Sequence, residues 1–246
     1  MPSFKMITGI VLRHIPYGEA EKLFIFITPT GKRKAFAKGV RKVTSKSAAH
    51  LELFTHANVQ LVDGHSDRSI ITSAVSLNRF DELASDIEKY ALAMFACEMI
   101  DLFAMENDDT GYNVLLDLLM FLKKKQYTKN FALMLLNKIC TVAGCTPSVE
   151  LCASCGSETV PEDLWYSYQE GGIVCSQCRR DCECETIDLF AVKILRNIFR
   201  HNNLPMAYDI PLPKVRQVSE ILFKQLTFHA DVKSKTWTMV KDVVLK

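Results

Sequence analysis

The chain has 246 residues, 48% of them apolar and 24% charged, an ordinary globular composition that excludes global disorder. That length holds one large domain or two modest ones, each with its own core. The net charge is only +2, but up to Phe80 there are 12 Lys/Arg against 5 Asp/Glu, so the first third carries +7 and the remainder −5. A basic module joined to a slightly acidic one is the footprint of a protein with one anionic partner.

At the start of the chain, Met1 to Leu12 holds one lysine and an interrupted apolar run, so no secretory signal is expected. The first 80 residues then carry period-2 patterns broken by turn residues. Strands are predicted over Lys5–Leu12, Lys22–Thr28, Arg33–Lys38, Ala57–Val62 and Ser69–Ser76. Between them stand Pro16-Tyr17-Gly18, Pro29-Thr30-Gly31, the Gly39–Ala49 stretch and Asp63-Gly64-His65-Ser66. Five short strands with hairpin-length connections suit a small closed barrel, and the OB-fold is the common five-stranded barrel that binds oligonucleotides. A domain spanning 1–80 is therefore expected.

After Phe80 the period becomes helical. Ser85-Asp86-Ile87-Glu88 fits a capping box, followed by apolar Ile87, Tyr90, Ala91, Met94 and Phe95. The stretch Ala91 to Met105 is too interrupted to span a membrane, because Glu98 and Asp101 would be costly in lipid. A cytoplasmic protein with no membrane contact is expected. Tyr112, Leu115, Leu116, Leu119 and Leu122 keep helical spacing, and a third helix starts near Thr128 and stops at Gly144 before Pro147. Further helices are predicted over Thr186–His201, Pro213–Ala230 and Thr236–Val244. The fold class is thus α+β and multidomain: a barrel, then a helical domain over 81–246 with an irregular cysteine-rich module inserted at about 147–185.

Six of the nine cysteines fall between 152 and 184. Cys152-Ala153-Ser154-Cys155 and Cys175-Ser176-Gln177-Cys178 are separated by 19 residues, the spacing of a four-cysteine zinc site. Each C-x2-C closes a tight turn that aims two thiolates at one tetrahedral ion. Trp165–Tyr168 reads as a strand, Gly171-Gly172 as a turn and Ile173-Val174 as the return strand, a zinc-ribbon-like hairpin. Disulfides are disfavoured in a reducing compartment, and a redox C-x-x-C sits alone before a helix rather than doubled around a hairpin. Cys182 and Cys184 lie close enough in sequence to substitute for a ligand, whereas Cys97, Cys140 and Cys145 read as small core residues. Four thiolates leave no open position for catalysis. Neither C-x-x-C follows a proline, as a nucleobase deaminase requires, and no P-loop is present. No Ser/His/Asp or paired-carboxylate arrangement stands out either, and the six histidines (His14, His50, His56, His65, His201, His229) are scattered and read as surface or half-buried residues. A protein that is not an enzyme is expected.

Thr28 to Lys46 holds seven basic residues, Lys32, Arg33, Lys34, Lys38, Arg41, Lys42 and Lys46, and no acidic one. Cations beside hydroxyls and a glycine, Gly39, are what a phosphate backbone needs, so these seven are the expected DNA-binding residues. On the preceding strand, alternation puts Leu23, Ile25 and Ile27 on one face and Phe24 and Phe26 on the other. The aliphatic face is expected to fill the barrel. The two phenylalanines then either stack on bases or cover the contact with the helical domain.

Several of these segments also carry a family resemblance. Val11-Leu12-Arg13, Tyr17-Gly18-Glu19-Ala20-Glu21-Lys22, Thr28-Pro29-Thr30-Gly31-Lys32 and Ala37-Lys38-Gly39-Val40-Arg41-Lys42 resemble the N-terminal domain of the RecO family of DNA repair proteins. Gly144-Cys145-Thr146-Pro147, Cys152-Ala153-Ser154-Cys155-Gly156 and Gly171-Gly172 before Cys175 resemble its C-terminal half. The resemblance implies a recombination mediator, with an OB-fold, a helical domain and a zinc module. Such a protein binds single- and double-stranded DNA, anneals complementary strands and, with RecR, assists RecA loading. It works on DNA coated by single-stranded-DNA-binding protein, whose acidic C-terminal tail it contacts, in the cytoplasm and at the nucleoid. The family's metal ligands fall on Cys152, Cys155, Cys175 and Cys178, and because some members lack them the zinc is implied to be structural. An RNA-binding protein of the same architecture, or a protein-interaction scaffold, would share the composition.

Overall fold

The period-2 segments of the first 80 residues form five strands: β1 (Phe4–Tyr17), β2 (Glu21–Thr28), β3 (Gly31–Ala37), β4 (His56–Asp63) and β5 (Ser69–Asn78). The computed structural model describes residues 4–18, 21–38, 48–63, 68–124, 128–161, 164–201, 209–228, 230 and 234–246. The strands close into a barrel in the order β1-β2-β3-β5-β4, as expected of an OB-fold. All neighbours are antiparallel except β3 and β5, which are parallel. β1 is long because it pairs with β4 through its first half and β2 through its second. The register shifts between Val11 and Arg13, a bulge that bends the strand around the barrel. Ile10, Val11 and Leu12 are all buried in succession, so both faces of the strand are covered there.

The β2–β3 connection is a tight hairpin in which Thr28 faces Gly31. Gly31 has φ +87°, and a Cβ there would stand 2.8 Å from the Asn107 backbone nitrogen. Both the left-handed backbone and the close approach demand glycine.

The barrel interior holds Val11, Phe24, Phe26, Ala35, Ala37, Leu51, Ala57, Val59, Leu61, Ile71 and Ala74. The expected assignment of the β2 faces is therefore inverted. Phe24 and Phe26 fill the barrel, 1% and 0% exposed, and neither can stack on a base or cover the outside. Ile25 and Ile27 lie on the outer face and are nonetheless buried; Ile27 Cδ1 is 3.7 Å from where a Cβ on Gly111 would stand. Two aromatic rings and nine smaller side chains fill the interior, and helices α1 (Ile87–Phe103) and α2 (Thr110–Lys123) pack against the outside.

α1 is apolar nearly all round, with Ala91, Leu92, Ala93, Phe95, Ala96, Cys97, Met99 and Ile100 buried, the mark of a helix covered on more than one side. Its cap is Asp86, not Ser85. Asp86 is extended and its carboxylate accepts from the Glu88 and Lys89 N–H groups at 3.1 and 3.2 Å. Ser85 belongs to the preceding 3-10 turn and donates to the Glu82 carbonyl at 2.7 Å. Asp101, on the same helix, pairs with Arg13 of β1 at 2.5 Å. The expected boundary at residue 80 is where strands give way to helices, but the contacts group α1 and α2 with the barrel, giving units Met1–Lys125 and Gln126–Lys246.

The second unit contains α3 (Phe131–Val142), a small sheet of β6 (Trp165–Ser167), β7 (Gly172–Val174) and β8 (Glu185–Thr186), then α4 (Leu189–His201), α5 (Leu212–Thr227) and α6 (Lys235–Val243). α3, α4 and α5 pack together. Among the described residues, no helix is long and apolar enough to cross a membrane.

Candidate metal centre and nucleic-acid interface

The cysteine module is built on the β6–β7 hairpin, in which Trp165 faces Val174 and Tyr166 faces Ile173. Alternation sends Trp165 and Val174 toward the cysteines. Tyr166 turns away, fully buried, and donates from its hydroxyl to Gln225 Oε1 of α5 at 3.1 Å. The segment around Ser148 adds itself to β7, with Ser148 N–H donating to the Gly171 carbonyl and Ile173 N–H to the Ser148 carbonyl, both at 2.9 Å. Gly172 is required there, because a Cβ would collide with the Ser148 carbonyl oxygen. The first knuckle turns at Gly156, φ +73°, whose N–H donates to the Cys152 carbonyl at 2.9 Å. In the second, Cys178–Arg180 forms a 3-10 turn and Arg179 N–H donates to the Cys175 carbonyl at 3.1 Å.

These turns bring Cys152, Cys155, Cys175 and Cys178 together, with all four sulfurs within 4.8 Å of one another. The Cys155 and Cys175 sulfurs are 3.9 Å apart. Zinc–sulfur bonds of about 2.3 Å put tetrahedral thiolates about 3.8 Å apart, so the spacing fits an ion at the centre. The surroundings favour negative sulfur. Backbone N–H of Cys178 leads in holding the Cys175 thiol below its ordinary range, against its burial. Cys155 is lowered chiefly by the Ser157 hydroxyl and N–H. Burial is the largest influence on Cys152 and opposes ionisation, yet N–H groups of Cys155, Cys175 and Ser154 together outweigh it. Cys178 is instead pushed up to about 12, first by the neighbouring Cys155 sulfur. The four cysteines could therefore hold a metal ion.

Cys182 and Cys184 pack against this cluster without joining it. Cys184 Sγ donates to the Arg179 carbonyl at 3.5 Å, and the Arg179 guanidinium lies over the Trp165 ring, 4.4 Å from its centroid. Cys97 and Cys140 are buried in helices, and Cys145, half-buried, interacts with Cys140.

The basic hairpin divides by position. Lys32 is half-buried and its ammonium donates to the Asp101 carbonyl of α1 at 2.7 Å. Arg33 donates to the Lys32 carbonyl and the Thr30 hydroxyl, both at 3.3 Å. Lys34 and Lys38 are exposed. Arg41, Lys42 and Lys46 lie outside the described residues. Among the described residues, His56 departs from the expected surface or half-buried placement: it is buried, its Nε2 2.8 Å from the Tyr112 hydroxyl.

Sequence reasoning missed a cluster on the outside of the barrel. Tyr17 at the end of β1 and Phe36 near the end of β3 meet edge to face, centroids 5.0 Å apart at 69°. Arg68, just before β5, lies 5.2 Å from the Phe36 centroid and 5.6 Å from that of Tyr17. It also donates to the Tyr17 hydroxyl at 3.3 Å. The three are far apart in sequence, and only the barrel register brings them together.

Comparison with known proteins agrees with this architecture. The family model described as recombination protein O N terminal matches residues 3–80, and that described as recombination protein O C terminal matches residues 84–238. Similar proteins include the DNA repair protein RecO of Roseiflexus sp. strain RS-1, 31% identical over 229 residues, covering 90% of this chain and 79% of the relative. That of Dehalococcoides mccartyi strain 195 is 30% identical over 211 residues, covering 83% and 81%. That of Heliobacterium modesticaldum is 29% identical over 246 residues, covering 96% and 88%. The two matches run through both the barrel and the cysteine module, and the chain belongs to the RecO family of DNA repair proteins.

Proposed function

We propose that this protein is a recombination mediator that binds single- and double-stranded DNA and anneals complementary strands without nucleotide hydrolysis or other covalent chemistry. The observation that supports this most is the exposure of Lys34 and Lys38 at β3 of a closed OB-type barrel in a chain of a DNA repair family. Exposed lysines along a strand neutralise phosphates and release counterions. Drawing two strands onto one basic surface lowers their mutual repulsion and raises their local concentration, and base pairing then drives annealing. With RecR, the same protein assists RecA loading on DNA coated by single-stranded-DNA-binding protein, whose acidic tail it contacts. It acts in the cytoplasm, at the nucleoid.

Zinc is the cation proposed for Cys152, Cys155, Cys175 and Cys178, because four thiolates in tetrahedral array suit it. With every position filled by protein its role is structural. Annealing of complementary oligonucleotides coated with single-stranded-DNA-binding protein, with no nucleotide added, tests the mediator reading at low and physiological salt. Acceleration that fades as salt rises is expected. No acceleration by folded, metal-loaded protein would overturn it in favour of an RNA-binding or scaffold role.

A further inference from the structure

The outer face of β3 and its continuation reads Lys34, Phe36, Lys38, alternating with buried Ala35 and Ala37. At about 6.6 Å between every second residue, this puts an aromatic ring between two cations. Lys34 and Lys38 are exposed and Phe36 is half-buried. Tyr17 leans on Phe36 and is itself 43% exposed. Arg68 covers both rings with its guanidinium. These residues come from the end of β1, from β3 and the residue that follows it, and from the residue just before β5, and the strand 2–3 face with its flanking loops is the region where OB barrels take oligonucleotides. The interior phenylalanines are sealed in the core, so any aromatic contact with a ligand must come from the outside.

We infer that Tyr17, Phe36 and Arg68 form a stacking site for an unpaired nucleobase. The inference rests on the DNA-binding reading above and deepens it. A planar guanidinium over two rings occupies the place a base would take. A base entering there keeps the ring contact and releases Arg68 toward the adjoining phosphate. Lys34 and Lys38 hold the backbone on either side. Bases in a duplex already stack on one another and present only their edges, so the site favours single strands and gives the barrel a means to distinguish them from duplex. Because every base has a π-face, the preference among sequences is weak.

Fluorescence anisotropy on the full, metal-loaded chain tests this with three labelled probes: an oligothymidylate, an abasic oligomer of equal length and a duplex. Tyr17→Ala is expected to weaken oligothymidylate binding about 5- to 100-fold, leaving abasic and duplex affinities and the salt slope unchanged. Tyr17→Trp should restore binding, and Lys34→Glu should weaken all three. If Tyr17→Ala left oligothymidylate binding intact, or weakened the three probes equally, the stacking site would be overturned. If the wild-type chain bound none of the probes, the DNA-binding reading would fall and this inference with it.

Discussion

The barrel and the cysteine module are both β-structures, and they are held together by different means. The barrel has strands of 7 to 14 residues, closes on itself and buries an apolar interior around Phe24 and Phe26. The module has strands of three, three and two residues, too short for an independent sheet. On the knuckle side its buried cluster is Cys152, Val174 and Cys175, while Tyr166 and Ile173 turn the other way and are buried too. Two of the three on the knuckle side are metal-binding candidates, so the thiols occupy positions that hydrophobic side chains hold in the barrel. A β-element with a large core needs no ligand. One whose knuckle side is lined by thiols is expected to depend on an ion that joins them.

Metal removal should break the comparison open most widely. Structural zinc sites contribute roughly 10–16 kcal/mol of apparent binding energy, more than a few short strands can replace. Elemental analysis is expected to find one zinc per chain. Stripping it with a strong chelator, or Cys175→Ser, should abolish amide protection between Ser148 and Ile187 while β1 to β5 stay protected. Retained protection in the module after complete metal loss would mean that packing, not the ion, holds it. The reciprocal lesion is Phe26→Ala, which empties the middle of the barrel. It should cost about 3–5 kcal/mol, lowering the urea midpoint of the barrel and leaving the zinc content unchanged.

The two regions also differed in how much the sequence disclosed. Strands β2 to β5 and the helices α1 to α6 fall near their expected positions, because polarity alternates and turn residues separate them, but β1 runs on past Leu12 to Tyr17, through the Pro16-Tyr17 pair expected as a break. The inside of the barrel was assigned to the wrong face of β2. Alternation separates two faces without saying which is inner when both are apolar, and both are apolar because α1 and α2 cover the outside. The paired C-x2-C spacing was enough to assemble the cysteine quartet, since each pair is local and one hairpin joins them. The two-residue β8 is too short to leave a pattern. Tyr17, Phe36 and Arg68 gave no signal at all. Pairing of β1 with β2, β2 with β3 and β3 with β5 must be known before they can be seen to meet. Lys32 looked like any other cation of the hairpin until α1 was in place to take its ammonium.

If the barrel carries the nucleic acid, charge changes there should be felt in binding rather than stability. Reversing Arg33, Lys38 and Arg41 to Glu together is expected to weaken DNA binding about 10- to 100-fold at moderate salt. It should also reduce the slope of log affinity against log salt by about 2–3, roughly one for each phosphate no longer neutralised. Titrations at several salt concentrations read both quantities. An unchanged slope would move the DNA surface off the β2–β3 hairpin, and a matching reduction from Cys175→Ser would give the module a share in it.

The smallest expected effect is on pH, and it separates the regions by the sign of what titrates. In the barrel, burial holds His56 below the ordinary value of 6.5. His14 is lowered the same way, first by burial and then by Lys22. A histidine whose folded value is depressed binds its proton more readily when unfolded. It therefore contributes stability that is fully present above 6.5 and is lost as pH falls below that toward the folded-state value. The barrel should lose urea resistance modestly between about pH 7.5 and about pH 5.5. This slope should shrink in a His14→Gln, His56→Gln double variant, even though His56→Gln lowers stability overall by leaving the Tyr112 hydroxyl a poorer partner. Over the same range the module should lose metal only as protons compete for its thiolates, a change that follows free zinc concentration while the histidine slope does not. A barrel slope that vanished in excess zinc, or survived the double variant intact, would show that the pH response belongs to the thiols and not to the buried imidazoles.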